Sequence, residues 1–530
     1  MKVLVSDTLA QEGLDILNAA KGLEVDYKPG LSEDELCGAV ADAEALIIRS
    51  GTTVTARVLD AAKSLKWIGR AGIGVDNVDV PAASKSGVIV SNTPTGNMVT
   101  TAEHAISLMC ALTRQIPQAT ASMKAGKWEK KIFKGRELFN KNLGVVGLGN
   151  IGKIVADRAQ GLKMKILGYD PFVSKEKAAS LGIELVDLDE LCKRADFITV
   201  HTPLNDATRG IVGKKAFSLM KKGVLLIQAS RGGVVDEDAL LEALNNGTVA
   251  GAALDVFVQE PTAADHPLVG HPNVICTPHL GAATFEAQLN VAVQVAEQCV
   301  DYLVNGEIRN AVNIPAVPAE QVEQLQPYLT LAEKLGLFHA QLRPEGFDHV
   351  EIEFMGDVAG METRPVVLAA LKGLLSPSKG NAALVNYVNA PVIAAEQGIT
   401  VRESSTKETH DYTSHIRIRT RCKDGKEYSV EGAVFNVNDQ RIVSVDGYRV
   451  EVIPNGTLLA LKNEDLPGVV GGIGCLLAEE NVNIASMQMG RDVPGGTAIA
   501  FLSIDAEASP ETLKKLEAVK HVLRVKQITL

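Results

Sequence analysis

Short apolar runs alternate with helical patterns from residue 1 to about residue 310, and this alternation limits the possible folds more than any other feature. It begins with Val3 to Val5, Ala45 to Ile48 and Val88 to Val90. A strand apolar along its whole length must be covered on both faces, and helices between such strands give parallel α/β layers. From Asn97 the spacing predicts a helix, with Thr100 and Glu103 placed as a capping box ahead of Ala105, Ile106, Met109 and Leu112. This helix is expected to link two lobes. The second lobe follows with Leu143 to Gly147, Lys165 to Tyr169, Phe197 to His201, Val224 to Gln228, Ala250 to Leu254 and Val274 to Cys276, a doubly wound sheet. A helical stretch from Thr284 to Leu303 then returns to the first lobe, which makes that lobe discontinuous.

Pro315, Pro318 and Pro327 predict a linker into a third unit, where Ile416 to Arg421 and Tyr428 to Phe435 read as strands of an α+β domain. After Pro454-Asn455-Gly456 the pattern runs strand, helix, strand, turn, strand, helix, strand, the βαββαβ order of a ferredoxin-like unit. At 530 residues the chain is long enough for several cores. Its formal charge of -11 repels nucleic-acid phosphates and acidic membrane surfaces. Seven cysteines at no metal or C-x-x-C spacing read as reduced, mostly buried thiols, and no metal site is expected. Without a long apolar stretch the protein is expected to be cytoplasmic.

Gly147-Leu-Gly149-Asn-Ile-Gly152 follows an apolar strand and opens a helix. Glycine permits the tight turn and the close backbone approach that a pyrophosphate needs, and the helix amides face it. The next strand ends at Asp170, roughly 20 residues on, where a carboxylate accepts bonds from a ribose and repels a 2′-phosphate. NAD is therefore the expected cofactor.

Three charged residues stand just after three successive strands: Arg231, Glu260 and His279. In an open α/β sheet such strand ends line the ligand crevice. Oxidising a secondary alcohol needs a base for the hydroxyl proton and a cation for the neighbouring carboxylate, roles that suit His279 and Arg231. Glu260 on the far imidazole nitrogen would fix the tautomer. Singly, each has a plainer reading as a turn residue, a solvated charge or a core histidine.

The segments Gly147 to Gly152, Tyr169-Asp170, Thr199 to Pro203, Ala229 to Glu237, Ala253 to Phe257 with Glu260-Pro261, and Pro278 to Ala282 resemble the D-2-hydroxyacid dehydrogenases. The resemblance implies an Arg231, Glu260 and His279 catalytic set. It also implies an NAD site lined by Gly147, Gly149, Asn150, Ile151, Gly152, Asp170, Thr202, Ala229, Ser230, Arg231, Asp255, His279, Gly281 and Ala282. Ser230 stands where many relatives have Cys, Ala or Thr. Arg49 and Arg70, each at a strand end, are candidates for a second anionic group of the substrate, with Asn97 at the hinge and local positive charge from Lys127, Lys130, Lys131, Lys134 and Arg136.

Together with Arg70 to Asp79 and Ile116 to Lys124, the C-terminal half resembles the long-form D-3-phosphoglycerate dehydrogenases. What this implies is oxidation of 3-phosphoglycerate to 3-phosphohydroxypyruvate, the first step of phosphorylated serine synthesis. The implied fold is a flavodoxin-like substrate lobe (1–97 with 283–313), a Rossmann NAD domain (98–282), an α+β intervening domain (314–453) and a ferredoxin-like ACT domain (454–530). ACT domains bind amino acids, so Asn463, Asp465 and Asn483 are candidates for L-serine, and a homodimer or tetramer is expected. A glycerate, lactate or formate-type dehydrogenase stays open as an alternative, as does a non-enzymatic NAD(H)-sensing scaffold.

Overall fold

A computed structural model describes residues 1–530 apart from 316, 318–320, 378–384, 410, 437 and 438. Its first sheet is wholly parallel, with β1 (Lys2–Val5), β2 (Glu24–Tyr27), β3 (Ala45–Ile48), β4 (Trp67–Arg70) and β5 (Ile89–Asn92) in the order 2-1-3-4-5. This is the flavodoxin-like order. Alternate side chains enter opposite cores: Val3, Val5 and Ile47 on one face, Leu4, Leu46 and Ile48 on the other. The helix Phe285–Val300 supplies Val291, Ala292, Val295, Ala296 and Cys299 to the first of these cores and packs on the helix Gln11–Ala19.

The second sheet holds β6 (Asn142–Val146), β7 (Lys165–Tyr169), β8 (Glu184–Leu185), β9 (Phe197–Val200), β10 (Val224–Gln228), β11 (Val249–Leu254) and β12 (Val274–Cys276). Their order is 12-11-10-9-6-7-8, the Rossmann arrangement with one strand added, all parallel. Again neighbours on one strand diverge: Leu225 and Ile227 join the core under the helices Met98–Arg114 and Asn150–Gly161, whereas Leu226 joins the opposite one. Burial on both faces explains why these strands carry no polar alternation.

The expected capping box at Thr100 and Glu103 is not formed. The helix already starts at Met98, so Thr100 falls inside its first turn, and its hydroxyl lies 3.2 Å from that of Thr284. A capping box occurs instead at Ser32 and Glu35. The proline linker is also shorter than expected. Pro327 lies in the second turn of the helix Val322–Leu342, where its missing N–H removes one intrahelical bond, and Pro318 lies outside the described residues.

The third sheet, mixed, comprises β13 (His349–Gly356), β14 (Thr400–Thr406), β15 (Ser414–Arg421), β16 (Glu427–Asn436), β17 (Asp439–Val445) and β18 (Tyr448–Val452), in the order 14-13-15-16-17-18. Its core is shared with the C-terminal unit, whose β19 (Thr457–Glu464), β20 (Ile484–Arg491), β21 (Thr497–Ile504) and β22 (Val522–Thr529) form an antiparallel sheet ordered 20-21-19-22. Leu458, Ala460, Ile499, Phe501 and Ile528 face the helix Val322–Leu342 and its neighbours, while Leu459, Leu461 and Leu502 pack under the unit's own helices. The third unit also touches the first: Val388 is buried in the first sheet's core, and Asn386 Nδ2 donates to the Gly87 carbonyl at 2.7 Å. No cysteine in the described residues is disulfide-bonded. Cys192, Cys299 and Cys422 are buried, Cys37, Cys110 and Cys276 are partly covered, and Cys475 is exposed, so fewer are enclosed than the composition suggested.

Candidate active site

β6 ends in a turn that only glycine can make. Gly147 has φ of 94°, and a Cβ there would lie 2.8 Å from the His201 carbonyl oxygen. A Cβ on Gly152 would lie 2.0 Å from the Gly147 carbonyl oxygen, so helix and turn touch through backbone alone. The helix Asn150–Gly161 opens at Gly149 with no side chain capping its first amides and nothing within 4 Å of where a Gly149 Cβ would stand. Asp170, at the end of β7, accepts from Leu148 N at 2.8 Å and from Phe172 N at 2.9 Å, one bond per oxygen. A carboxylate has further lone pairs to offer. Beside the turn, Thr202 Oγ1 is buried without a partner. An open helix start, an orphaned hydroxyl and a carboxylate at the next strand end fit a dinucleotide lacking a 2′-phosphate.

The loops after β10, β11 and β12 meet on the same side of the sheet. Gly232 abuts Phe257, since a Cβ there would stand 1.9 Å from the Phe257 carbonyl oxygen. Glu260 Oε1 accepts from Phe257 N at 2.9 Å, and its Oε2 is 2.6 Å from His279 Nδ1. Burial alone would raise the Glu260 carboxyl, but the bonds from His279 and the Phe257 amide outweigh it and hold the group below the ordinary glutamate range. An ionised Glu260 accepts a hydrogen bond from Nδ1–H, keeping the proton on Nδ1, and leaves Nε2 as the basic nitrogen. His279 itself sits in the left-handed region, φ 53°, with its amide donating to the Asp255 and Thr277 carbonyls.

Asp255 is buried and accepts from Leu280 N at 2.7 Å, Gly281 N at 2.8 Å and Thr277 Oγ1 at 2.5 Å, with His104 Nε2 at 3.1 Å. Burial pushes its carboxyl up, and these donors bring it below the usual aspartate range. Its carboxylate thus shapes the loop that carries His279.

On the first sheet, Arg49 follows β3 and Arg70 ends β4. Arg70 is pushed down to about 10, first by burial and then by the charges of Arg231 and Arg49, with Asp76 and Asp7 opposing. Arginines 49, 70 and 231 therefore share one electrostatic neighbourhood. Arg70 Nε is buried without a partner, as is Asn97 Oδ1, and the Asn97 side chain makes no cap bond to the helix it precedes. Such orphans are expensive unless a ligand completes them.

Residues 106–281 match the family model for the D-isomer specific 2-hydroxyacid dehydrogenase NAD-binding domain, 324–446 the D-3-phosphoglycerate dehydrogenase intervening domain, and 457–521 the ACT domain. The D-3-phosphoglycerate dehydrogenase of Methanocaldococcus jannaschii is 46% identical over 532 residues, covering 100% of both chains. The chain belongs to the D-3-phosphoglycerate dehydrogenase family. A relative of the same name from Bacillus subtilis is 41% identical over 100% of this chain and 99% of its own. Among solved structures, the TT0316 protein from Thermus thermophilus superposes with a TM-score of 0.55 at 35% identity, covering 59% of this chain and 100% of that one. A glyoxylate reductase from Paecilomyes thermophila gives 0.55 at 29% identity, covering 59% and 98%. Membership makes the chain an NAD-dependent oxidoreductase.

Within this dehydrogenase fold the expected residues fall into groups. Gly147, Gly149, Asn150, Ile151, Gly152, Asp170 and Thr202 gather at the nucleotide turn, and Ala229, Ser230, Arg231, Gly281 and Ala282 lie in the strand-end loops. Ser230 Oγ donates to Gln228 Oε1 at 2.9 Å, a contact internal to its loop. Of the basic stretch expected to add local positive charge, Arg136 is engaged elsewhere. It donates to the Gly223 carbonyl at the amino end of β10, the end opposite Arg231. Sequence reasoning missed Asp76, Asp7, Asn77 and His104. Asn77 Nδ2 donates to the Arg49 and Thr52 carbonyls at 2.6 Å each, and Asp7 accepts from Arg49 N at 2.5 Å, so both brace the Arg49 loop. Their roles depend on contacts far apart in the chain, although Asp76 and Asn77 stand inside the Arg70 to Asp79 segment.

The effector candidates do not converge in the same way. Asp465 Oδ2 accepts from Gly495 N at 3.0 Å and Arg491 Nη1 at 3.3 Å, and Asn483 Nδ2 donates to Asp505 at 2.7 Å. Asn463 is buried, and its Oδ1 has no partner.

Proposed function

We propose that this chain oxidises D-3-phosphoglycerate to 3-phosphohydroxypyruvate, with Arg231, Glu260 and His279 as its catalytic set. The observation that carries the substrate is the Arg49, Arg70 and Arg231 neighbourhood. An acid bearing both a carboxylate and a phosphate matches cations supplied from both sheets. Arg231 holds the carboxylate and, with Asn97, orients the hydroxyl-bearing carbon, while Arg70 and Arg49 take the phosphate. His279 Nε2 accepts the hydroxyl proton, and Glu260 on Nδ1 stabilises the imidazolium that results. NAD, when bound, supplies the hydride acceptor. Gly147, Gly149, Asn150, Ile151 and Gly152 receive its pyrophosphate, Asp170 its adenosine ribose, and Thr202, Ala229, Ser230, Gly281 and Ala282 its remaining length. Asp255 serves through the His279 loop.

The proposed partition is a substrate lobe of 1–97 with 283–313, an NAD domain of 98–282, an intervening domain of 314–453 and a regulatory domain of 454–530. L-Serine is proposed as the effector at Asn463, Asp465 and Asn483, in a homo-oligomer whose ACT domains pair. No helix among the described residues is long and apolar enough to cross a membrane, and unpaired cysteines support a reducing, cytoplasmic compartment. Steady-state NADH formation with 3-phosphoglycerate and with unphosphorylated glycerate, each with and without serine, tests the assignment. Higher kcat/KM for glycerate refutes the phosphate site, and no turnover of either refutes the enzyme.

A further inference from the structure

We propose that Asp76 is a positioning residue for Arg231, setting the plane in which the guanidinium meets the substrate carboxylate. This rests on the assignment of Arg231 to that carboxylate. Asp76 belongs to the loop after β4, and its Oδ2 accepts from Arg231 Nε at 2.8 Å across a sequence separation of 155 residues. Among the described residues no other ion pair joins the first parallel sheet's loops to the second's. Arg231 Nη1 also donates to the Ser230 carbonyl at 2.7 Å.

A guanidinium has five N–H donors in one rigid plane. With Nε fixed by Asp76 and one hydrogen of Nη1 by Ser230, rotation about the side-chain axis is stopped, and the edge formed by Nη2 and the second Nη1 hydrogen is left for a bidentate anion. The same loop closes over the group: a Cβ on Gly74 would stand 1.8 Å from Arg231 Nη2 and 2.7 Å from Asp76 Oδ2. Only glycine at 74 leaves the guanidinium in place.

Charge points the same way. Asp76 is one of two carboxylates, with Asp7, whose fields oppose the mutual repulsion of the arginines at Arg70. Its side chain is 61% exposed, so an ordinary stabilising role is weak; exposed ion pairs add little to folding. What the pair provides is orientation, and small misplacement of a reacting group costs as much as about 100-fold in rate.

A double-mutant cycle tests this on the full-length enzyme with NAD and 3-phosphoglycerate, using Asp76→Asn, Arg231→Ala and the double variant, with unfolding midpoints measured alongside. Asp76→Asn is expected to lower kcat/KM roughly 10- to 100-fold without changing the KM for NAD, and to cause no further loss in the Arg231→Ala background. Asp76→Glu, which keeps the charge on a longer stem, is expected to recover part of the rate, and its cycle with Arg231→Ala reads the same coupling if the Asn variant folds poorly. Full activity in Asp76→Asn overturns the proposal. So does an equal loss in both backgrounds, which would leave the Arg231 assignment standing. If Arg231→Ala leaves kcat/KM unchanged, the assignment of Arg231 itself falls.

Discussion

The cleft between the two parallel sheets and the loop region of the C-terminal sheet both gather polar side chains, yet they leave different things unfinished. In the cleft, Arg70 Nε, Asn97 Oδ1 and Thr202 Oγ1 are buried and unpartnered, while the groups proposed to do chemistry are already braced: His279 by Glu260, the His279 loop by Asp255, Arg231 by Asp76. At the C-terminal end Asp465 and Asn483 bond within their own chain, and Asn463 alone holds an orphaned oxygen. The contrast teaches that the residues proposed for the oxidoreductase site are held in place by one another with orphaned atoms left over, whereas two of the three residues proposed for an effector are engaged within their own chain.

The strongest way to break this comparison is His279→Ala. Removing the proton acceptor is expected to lower kcat by roughly 10²- to 10⁴-fold with NAD affinity intact, measured by NADH formation and by cofactor titration. Retained turnover would mean that the braced histidine is not the base. Asp170→Arg comes next. It removes the ribose acceptor and adds a cation for a 2′-phosphate, so the ratio of kcat/KM for NAD to that for NADP is expected to fall by about 10- to 100-fold; an unchanged ratio rejects the ribose assignment.

Asp465→Ala sharpens the other side, with serine inhibition weakened about tenfold and uninhibited kcat unchanged. Inhibition at full strength would move the effector elsewhere. A point substitution is the right probe, because deleting 455–530 would strip Leu458, Ala460, Ile499, Phe501 and Ile528 from the core of the third unit.

The smallest effect concerns acid. Buried His339, bonded to Thr420 Oγ1 at 2.7 Å, is pushed down to about 4 by burial, as is His201 near the nucleotide turn. The unfolded chain takes up these protons near pH 6.5, while the fold resists until about pH 4, so stability declines as pH falls through that window and is flat above it. His339→Gln, which keeps a polar atom for Thr420, should flatten the decline for the C-terminal half alone. A gain of a few degrees in that half's unfolding midpoint at pH 5 relative to wild type is expected; equal acid sensitivity in both proteins rejects the account.

What the sequence made legible was whatever a strand or a turn encodes locally. β6, β9, β10 and β11 are mostly apolar because both faces are buried, and Gly147 to Gly152 carries its turn in its own residues. Two edge strands carried no such mark: β14, Thr-Val-Arg-Glu-Ser-Ser-Thr, is mostly exposed, and β8 has two residues. Nor did local pattern show that Asp76 meets Arg231, that Val388 fills the first core, or that Arg136 turns to the far end of its sheet. Those are products of packing between distant segments. The misplaced capping box has a local cause, since the Thr100 to Glu103 spacing matches the motif one turn too late.

The helix Phe285–Val300 also fixes an order of events. The face of the first sheet formed by Val3, Val5 and Ile47 is covered in part by Leu14 and Leu17 of its own N-terminal helix, but the rest of its cover lies on a segment that leaves the ribosome only after the entire second sheet has been made. Although domains ordinarily mature from the N-terminus, in this polypeptide the nucleotide-binding half can finish while the amino-terminal half still waits, part of its apolar face open to chaperones or to premature aggregation.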